Sequence, residues 1–321
     1  MENSTTEKTG PKQQAQVRRH YYLDQYAVIA PGRNKRPQQF DGQSFESKRP
    51  NDKQPIENNP SIYEVTKEET GWEVKVVENI FPAFTEDNKN ALGKQEVILE
   101  TNKPNTGFGD LDVERIKTII DVYQHRAEQL SKNYNYVSIF KNHGYYSGAS
   151  LQHSHSQIIA TDIVPPQVLN ERKIMTKYQN LNGSSPLCDV IRWELNNRVR
   201  VVAHTRYMTT ICPYASRFPL EVWIIPNRQA HSISDLVAEE VYSMADHLKG
   251  VTTALTNKQV DFNYHIQEPT PDNYNHTFVK VLPRLNILGG FEYNTGMHVN
   301  TISPEYAARW YKKHIKTPDA V

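Results

Sequence analysis

The sequence predicts an α+β fold made of two related units, each an antiparallel sheet with packed helices. Three observations indicate this. A strand-like segment followed by an amphipathic helix occurs twice, and 14 residues separate Glu96 from Asp110 just as they separate Glu221 from Asp235. Each helix is followed by a second strand-like segment and then by a segment that contains histidine. The connection at residues 144–152 has no helical pattern, which favours antiparallel strands over a parallel crossover.

In the first unit, residues 96–100 (EVILE) are typical of a strand, and Asp110 is expected to open a helix. The apolar residues that follow recur with the spacing i, i+3, i+4, i+7, which places them on one face of a helix. They are Val113, Ile116, Ile119, Ile120, Tyr123, Ala127 and Leu130. A second strand is predicted from Tyr134 onward.

The second unit repeats this order. Residues 221–225 (EVWII) are typical of a strand, and residues 262–266 (FNYHI) of the strand after the helix. The apolar face of the intervening helix is formed by Val241, Met244, Ala245, Leu248, Val251 and Leu255. Four matching elements in one order favour an internal duplication.

Composition limits the class of protein. The 321 residues include 37 Lys+Arg and 36 Asp+Glu, and a formal charge of +1 argues against a non-specific nucleic-acid binder. No apolar run is long enough to span a bilayer and residues 1–20 lack the apolar core of a signal peptide, so we expect a cytoplasmic protein. Residues 1–20 are predicted to be a disordered tail and residues 41–60 a long loop. Two cysteines exclude a disulfide framework.

The segment SLQHSHSQIIA at residues 150–160 carries the clearest chemical signal. If it is a strand, His153, His155 and Gln157 share one face. Two imidazoles and an amide on one face fit a metal site, a nucleophilic histidine with donors beside it, or a polar strand that faces solvent. Nearby, Asn142 and Gly144 provide polar and flexible backbone positions, and Arg33 and Arg36 provide guanidinium forks, all of which suit phosphate.

Several short motifs occur in the order in which a known enzyme family has them. They are RNKRP at 33–37, NIFPA at 79–83, NHG at 142–144, SLQHSHSQ at 150–157, ASRFPLEVWIIP at 215–226, LPRL at 282–285 and GFEYNTG at 290–296. With them the chain resembles galactose-1-phosphate uridylyltransferase and its relatives in the histidine-triad superfamily, which include the ADP-glucose and diadenosine tetraphosphate phosphorylases. The resemblance implies two tandem histidine-triad-like units, a catalytic one at residues 21–184 and a C-terminal one at residues 185–321.

The resemblance also implies roles for individual residues. His155 matches the nucleophile that attacks the α-phosphorus of a nucleoside diphosphate sugar and becomes a nucleotidyl-histidine. Its other ring nitrogen is expected to donate to the backbone carbonyl of His153. Gln157 and Ser150 match donors to the non-bridging phosphoryl oxygens.

The implied substrate-binding residues are more dispersed in the sequence. Asn142, Arg33 and Arg36 match phosphate contacts. Asn79 and Phe81 match the base pocket, although Phe81 before a proline is equally compatible with a core position. His153 completes this group.

Departures from the family pattern concern metal. Metal-bearing relatives have Cys-x-x-Cys after the Arg-Pro element, whereas residues 41–60 contain no cysteine. A further zinc histidine of those relatives follows a strand like residues 99–101, where this chain has Asn102, Lys103 and Pro104. The second-half His-x-His is reduced to a single histidine, His276. We therefore expect no bound zinc and no required cofactor, with His153 not acting as a metal ligand.

Together these observations predict a nucleotidyltransferase that moves a nucleoside monophosphate, UMP from UDP-glucose, through His155 to a hexose 1-phosphate, in galactose metabolism. The expected partners are a nucleoside diphosphate sugar, a sugar phosphate or phosphate, and a second copy of the chain in a homodimer, with no nucleic acid and no membrane. One alternative is a phosphorylase that cleaves a nucleoside diphosphate sugar or a dinucleotide with inorganic phosphate. Two others are a catalytically silent nucleotide-binding descendant and an unrelated metalloenzyme with His143 or His276 as third ligand.

Overall fold

The computed structural model describes residues 15–31, 33, 56–69, 71–103, 106–267 and 276–315. The helices in these ranges are α1 (Val113–Leu130), α2 (Pro166–Asn182), α3 (Pro186–Asn197), α4 (Ala238–Thr256), α5 (Gly290–Thr295) and α6 (Pro304–His314). The strands are β1 (Gln16–Arg19), β2 (Tyr26–Ile29), β3 (Ser61–Lys67), β4 (Gly71–Glu78), β5 (Gly93–Leu99), β6 (Tyr136–His143), β7 (His155–Thr161), β8 (Val201–His204), β9 (Met208–Ile211), β10 (Val222–Pro226), β11 (Phe262–Ile266), β12 (Val279–Pro283) and β13 (His298–Asn300).

One ten-stranded sheet dominates the fold, with the strand order β3-β4-β5-β7-β6-β11-β12-β10-β9-β8. All its strand pairs are antiparallel. The first five strands in this order come from the first unit and the last five from the second, and they meet where β6 pairs with β11. The α+β prediction is thereby confirmed. The duplicated sequence did not reveal that the two sheets join edge to edge.

The main core lies between one face of this sheet and the helices α1 and α4. Ile116, Ile119 and Ile120 of α1 are at most 1% exposed, and Met244 and Leu248 of α4 are at most 2% exposed. Truncation of one such side chain to alanine costs about 2–5 kcal/mol. Both halves of the chain therefore stabilise one shared core.

The start of α1 differs slightly from the prediction. Asp110 ends a short 3₁₀ turn, and the helix begins after Asp112, whose carboxylate accepts a hydrogen bond from the Arg115 backbone N–H at 2.7 Å. This capping contact satisfies an amide that has no partner inside the helix. Both aspartates suit a helix start, so the sequence alone did not separate them.

The opposite face of the sheet is covered unequally. Over the second half, α2, α3 and residues near the N-terminus bury a cluster that includes Met175, Leu187, Ile191, Trp223 and Phe278. In the first half this same face bears the polar residues of β6 and β7 and leaves a cleft.

A small second sheet, in the order β1-β2-β13, joins the start of the described chain to its end. β1 pairs antiparallel with β2, and the Arg18 guanidinium donates to the Glu305 carboxylate at 2.8 Å. The predicted disordered tail at residues 1–20 is therefore wrong for Gln16–Arg19. Strand pairing and an ion pair hold this segment, so its low apolar content misled the prediction.

Residues 1–14 and 41–55 lie outside the described ranges. None of the helices in the described ranges combines the length and apolar character that crossing a membrane requires.

Candidate active site

The centre of the site is His155, the first residue of β7. It is 3% exposed and pairs with Leu99 of β5. Its Nδ1 lies 2.8 Å from the backbone oxygen of His153, which accepts and cannot donate, so Nδ1 carries the proton. The Nε2 lone pair is then free for attack, and no residue in the described ranges hydrogen bonds to Nε2. This is the orientation of the His155 ring that the family resemblance implied.

The environment keeps this imidazole uncharged. Burial lowers the pKa of His155, and the nearby Lys141 ammonium lowers it further. A neutral imidazole is the form that acts as a nucleophile.

A cavity of about 220 Å³ opens beside His155. Its walls come from the end of β6, the following loop and the start of β7, and include Lys141, Asn142, His143, Gly144 and His153. The loop turns at Gly144, whose φ of +85° is unfavourable for residues with a side chain. A Cβ there would also lie 1.9 Å from the Asp261 carboxylate, so only glycine fits.

A buried ion pair lies beneath the strand that carries His155. Lys141 forms a close ion pair with Glu100, and both side chains are at most 1% exposed. The Lys141 ammonium also donates to the His155 backbone oxygen at 2.8 Å and to Ser154 Oγ at 3.2 Å. This cation therefore holds the backbone of the nucleophile from the core side.

Gln157 follows His155 on the same face of β7, as predicted. Its Oε1 accepts from Gln95 Nε2 at 2.9 Å and from Asn79 Nδ2 at 3.5 Å. The Gln157 amide nitrogen has no partner within the described part of the chain, so it is available to a ligand.

Asn142 lies on the neighbouring strand. Phe140 of β6 pairs with Gln157 of antiparallel β7. Asn142 lies two residues after Phe140 and His155 two residues before Gln157, so both lie beyond this pair at the same end of the two strands. Asn142 Oδ1 accepts from Asn263 Nδ2 at 2.7 Å. Its own amide nitrogen, like that of Gln157, donates no hydrogen bond to the described residues.

The remaining predicted residues are placed unequally. Ser150 is exposed in the loop between Ala149 and Leu151, which both line the cavity. Phe81 is 86% exposed, which excludes the alternative that it is a core residue. Arg33 is exposed, and the residues that line the cavity do not include it. Arg36 lies outside the described residues.

A comparison with protein families identifies the family of this chain. A family model described as galactose-1-phosphate uridyl transferase, N-terminal domain, matches residues 4–165, half of the chain. The chain belongs to this family. A second model, a domain of unknown function (DUF4921), matches residues 105–315.

Individual relatives cover most of the chain. ADP-glucose phosphorylase of Arabidopsis thaliana is 26% identical over 92% of each chain, and galactose-1-phosphate uridylyltransferase of Thermotoga maritima is 27% identical over 74% of this chain and 83% of its own. A crystal structure of the Arabidopsis phosphorylase with bound ADP-glucose superposes with a TM-score of 0.81 at 25% identity, covering 94% of this chain and 99% of that one. The predicted class, an enzyme of the nucleotidyltransferase type, is confirmed.

The contacts of His153 in this chain limit its ability to bind a metal ion. Its Nε2 lies 2.6 Å from the Thr101 backbone oxygen and must therefore donate to it, and its ring stacks on Trp72. A nitrogen that carries a proton for a carbonyl has no lone pair for a metal. In the described ranges no group of three His, Cys, Asp or Glu residues has the arrangement of a metal site.

In the second half of the chain, the sequence pattern matches residues 276–280 to residues 153–157. Val279 and Val281 of β12 face the shared core, whereas Phe278 belongs to the cluster on the opposite face of the sheet and the Lys280 ammonium lies over its ring. His276 precedes β12 and is buried, with Nε2 3.0 Å from the Pro226 oxygen.

Sequence reasoning missed four residues of the site: Lys141, Glu100, Gln95 and Asn263. Lys141 and Glu100 are ordinary charged residues in a strand pattern, and the only signal was their position on the apolar side of that pattern. Gln95 and Asn263 are separated from their partners by 62 and 121 residues, so no local spacing marks them.

Proposed function

We propose that this chain transfers a nucleoside monophosphate from a nucleoside diphosphate hexose to a hexose 1-phosphate through a covalent nucleotidyl-His155. One observation carries the proposal: the His155 Nδ1 proton is committed to the His153 oxygen, which leaves Nε2 unprotonated beside the cavity.

The transfer has two balanced steps. Nε2 attacks the α-phosphorus, the bond between that phosphorus and the bridging oxygen breaks, and hexose 1-phosphate leaves. A phosphate oxygen of the second hexose 1-phosphate then attacks the same phosphorus, the phosphorus–nitrogen bond breaks, and neutral His155 is regenerated. The two sugar phosphates thus use one acceptor site in turn.

Charge on the phosphoryl oxygens must be stabilised in both steps. The free amide nitrogens of Gln157 and Asn142 and the hydroxyl of Ser150 are the proposed donors. Exposed Phe81 and its neighbour Asn79 suit the nucleoside base, since an exposed aromatic ring stacks on any base. Arg33 and Arg36 are proposed phosphate contacts on the basis of the motif alone.

The proposed reaction needs no metal. The hydrogen bond from His153 to Thr101 supports this, because the proton that it places on Nε2 leaves that ring nitrogen without a lone pair for a zinc ion. A homodimer, a cytoplasmic location and a place in galactose metabolism are further proposals that rest on the family resemblance.

Phosphorolysis is the second candidate. It is favoured by the ADP-glucose phosphorylase that matches 92% of this chain. In that case inorganic phosphate attacks the nucleotidyl-histidine and the product is a nucleoside diphosphate.

An isotope-exchange assay tests the proposal. A two-step enzyme exchanges labelled glucose 1-phosphate into UDP-glucose or ADP-glucose without any second acceptor. We expect exchange with one of these donors and its loss in His155→Ala. The control His125→Ala, which removes a half-buried histidine whose ring lies 4.3 Å from that of Tyr63, should retain the exchange. Absence of exchange with both donors would contradict the proposal and favour a silent nucleotide-binding protein.

The acceptor is identified in the same assay. Galactose 1-phosphate is expected to yield a new nucleoside diphosphate sugar. If instead inorganic phosphate alone yields a nucleoside diphosphate, the chain is a phosphorylase.

A further inference from the structure

The amide of Asn142 is fixed by a residue from the second unit. Asn263 Nδ2 donates to the Ser147 backbone oxygen at 2.9 Å and to Asn142 Oδ1 at 2.7 Å. A backbone carbonyl only accepts, so the Asn263 atom that faces Ser147 is nitrogen, and the Asn142 atom in contact with it is oxygen. The NH₂ group of Asn142 is therefore left on the side of the cavity.

The amide of Gln157 is fixed in the same way. The Ala83 backbone N–H donates to Gln95 Oε1 at 2.8 Å, which places Gln95 Nε2 against Gln157 Oε1 at 2.9 Å. A backbone N–H only donates, so the Gln95 atom that faces Ala83 is oxygen and the Gln157 atom that faces Gln95 Nε2 is also oxygen. The Phe81 N–H orients Asn79 similarly, at 2.8 Å from Asn79 Oδ1.

We propose that Asn263 and Gln95 are positioning residues that hold Asn142 and Gln157 with their NH₂ groups directed at the phosphoryl oxygens of the substrate. This inference rests on the proposed function. It also gives the second unit a part in the reaction at His155, because Asn263 lies on β11.

The polarity matters because phosphoryl oxygens accept and do not donate. An amide turned by half a rotation presents its oxygen instead, so a donor is lost and a repulsive contact replaces it. Loss of one such donor slows acyl transfer by about 10²–10³-fold in a protease oxyanion hole, and the charge that builds on a phosphoryl group makes a comparable demand.

Polarity reversal gives a sharp test. Asn263→Asp is nearly isosteric but only accepts, so Asn142 is expected to turn its NH₂ toward the new carboxylate and its oxygen toward the cavity. Asn263→Leu leaves Asn142 free to adopt either orientation. Gln95→Glu and Gln95→Met make the same comparison at Gln157, and Gln95 is half-buried.

The readout is the single-turnover rate of covalent labelling at saturating UDP-glucose or ADP-glucose. We expect the apolar variants to be about threefold to tenfold slower than the wild type and the acidic variants about 10²-fold slower, the size of a lost donor. Asn300 provides the matched control, since its buried amide donates to the Ser216 and Phe218 oxygens, both at 3.0 Å, away from the cavity. Asn300→Asp and Asn300→Leu should lower the melting temperature and leave the maximum rate within twofold.

Wild-type maximum rates in both acidic variants would overturn the inference, as would apolar variants slower than acidic ones. A rise in the apparent dissociation constant alone would also overturn it, since that result indicates charge repulsion rather than a turned amide. If the wild type is labelled by neither donor, the proposed function fails and this inference fails with it. Labelled wild type with unaffected variants removes only the positioning role.

Discussion

The buried pair of Lys141 and Glu100 offers the most quantitative prediction. Both side chains are at most 1% exposed, and the ammonium makes three contacts, to Glu100, Ser154 Oγ and the His155 oxygen. Lys141→Met removes the cation and leaves the Glu100 carboxylate buried without its counter-ion. Breaking a buried pair in this way costs about 3–5 kcal/mol. At roughly 2 °C per kcal/mol for a chain of this size, the melting temperature should fall by about 6–10 °C.

The double variant separates the stability lost through an unpaired buried charge from the stability lost through changed packing. Lys141→Met with Glu100→Gln removes both charges, so most of the lost stability should return, because a neutral isosteric pair avoids the desolvation of a lone carboxylate. Thermal unfolding of the wild type, both single variants and the double variant closes the cycle. Lys117→Met is the control, since its pair with Asp121 at 2.7 Å is partly exposed and should contribute at most about 0.5 kcal/mol. Equal losses in Lys141→Met and the double variant would refute the ion-pair interpretation.

Three further predictions concern the reaction. Burial and Lys141 lower the pKa of His155 from its ordinary value of 6.5, and the neutral imidazole is the form that attacks. The labelling rate should therefore stay constant as the pH falls to 6.5 and decline below it. A midpoint above 6.5 in a pH–rate profile would contradict this. Phe81→Ala should raise the dissociation constant of the nucleotide sugar about tenfold, the equivalent of about 1.4 kcal/mol of stacking, without changing the melting temperature; unchanged binding in a calorimetric titration would remove Phe81 from the base pocket. Treatment with a chelator should leave the labelling rate unchanged, and metal analysis that finds one zinc per chain would overturn the metal-free proposal.

The sequence predicted those features of the site and the fold that depend on residues close together in the chain. His153, His155 and Gln157 lie within five residues, and the family resemblance carried by this motif implied the hydrogen bond from His155 Nδ1 to the His153 oxygen. The apolar spacing of α1 and α4 likewise predicted which helix faces would be buried.

The sequence did not predict contacts between segments that are distant in the chain. Asn263 reaches Asn142 only because β11 pairs with β6, and that pairing depends on how two sheets join. Gln95 reaches Gln157 across paired strands, and β1 is held by an ion pair to α6. None of these residues differs in type from an ordinary polar surface residue.

The most direct measurement is the location of the covalent intermediate. The protein is incubated with UDP-glucose or ADP-glucose, kept at alkaline pH to preserve the phosphorus–nitrogen bond, digested, and its peptides are analysed by mass spectrometry. The account predicts a nucleoside monophosphate on the peptide that contains His155, placed on that residue by fragmentation. A nucleotide on another residue, or no labelled peptide while hexose 1-phosphate is released, would contradict it.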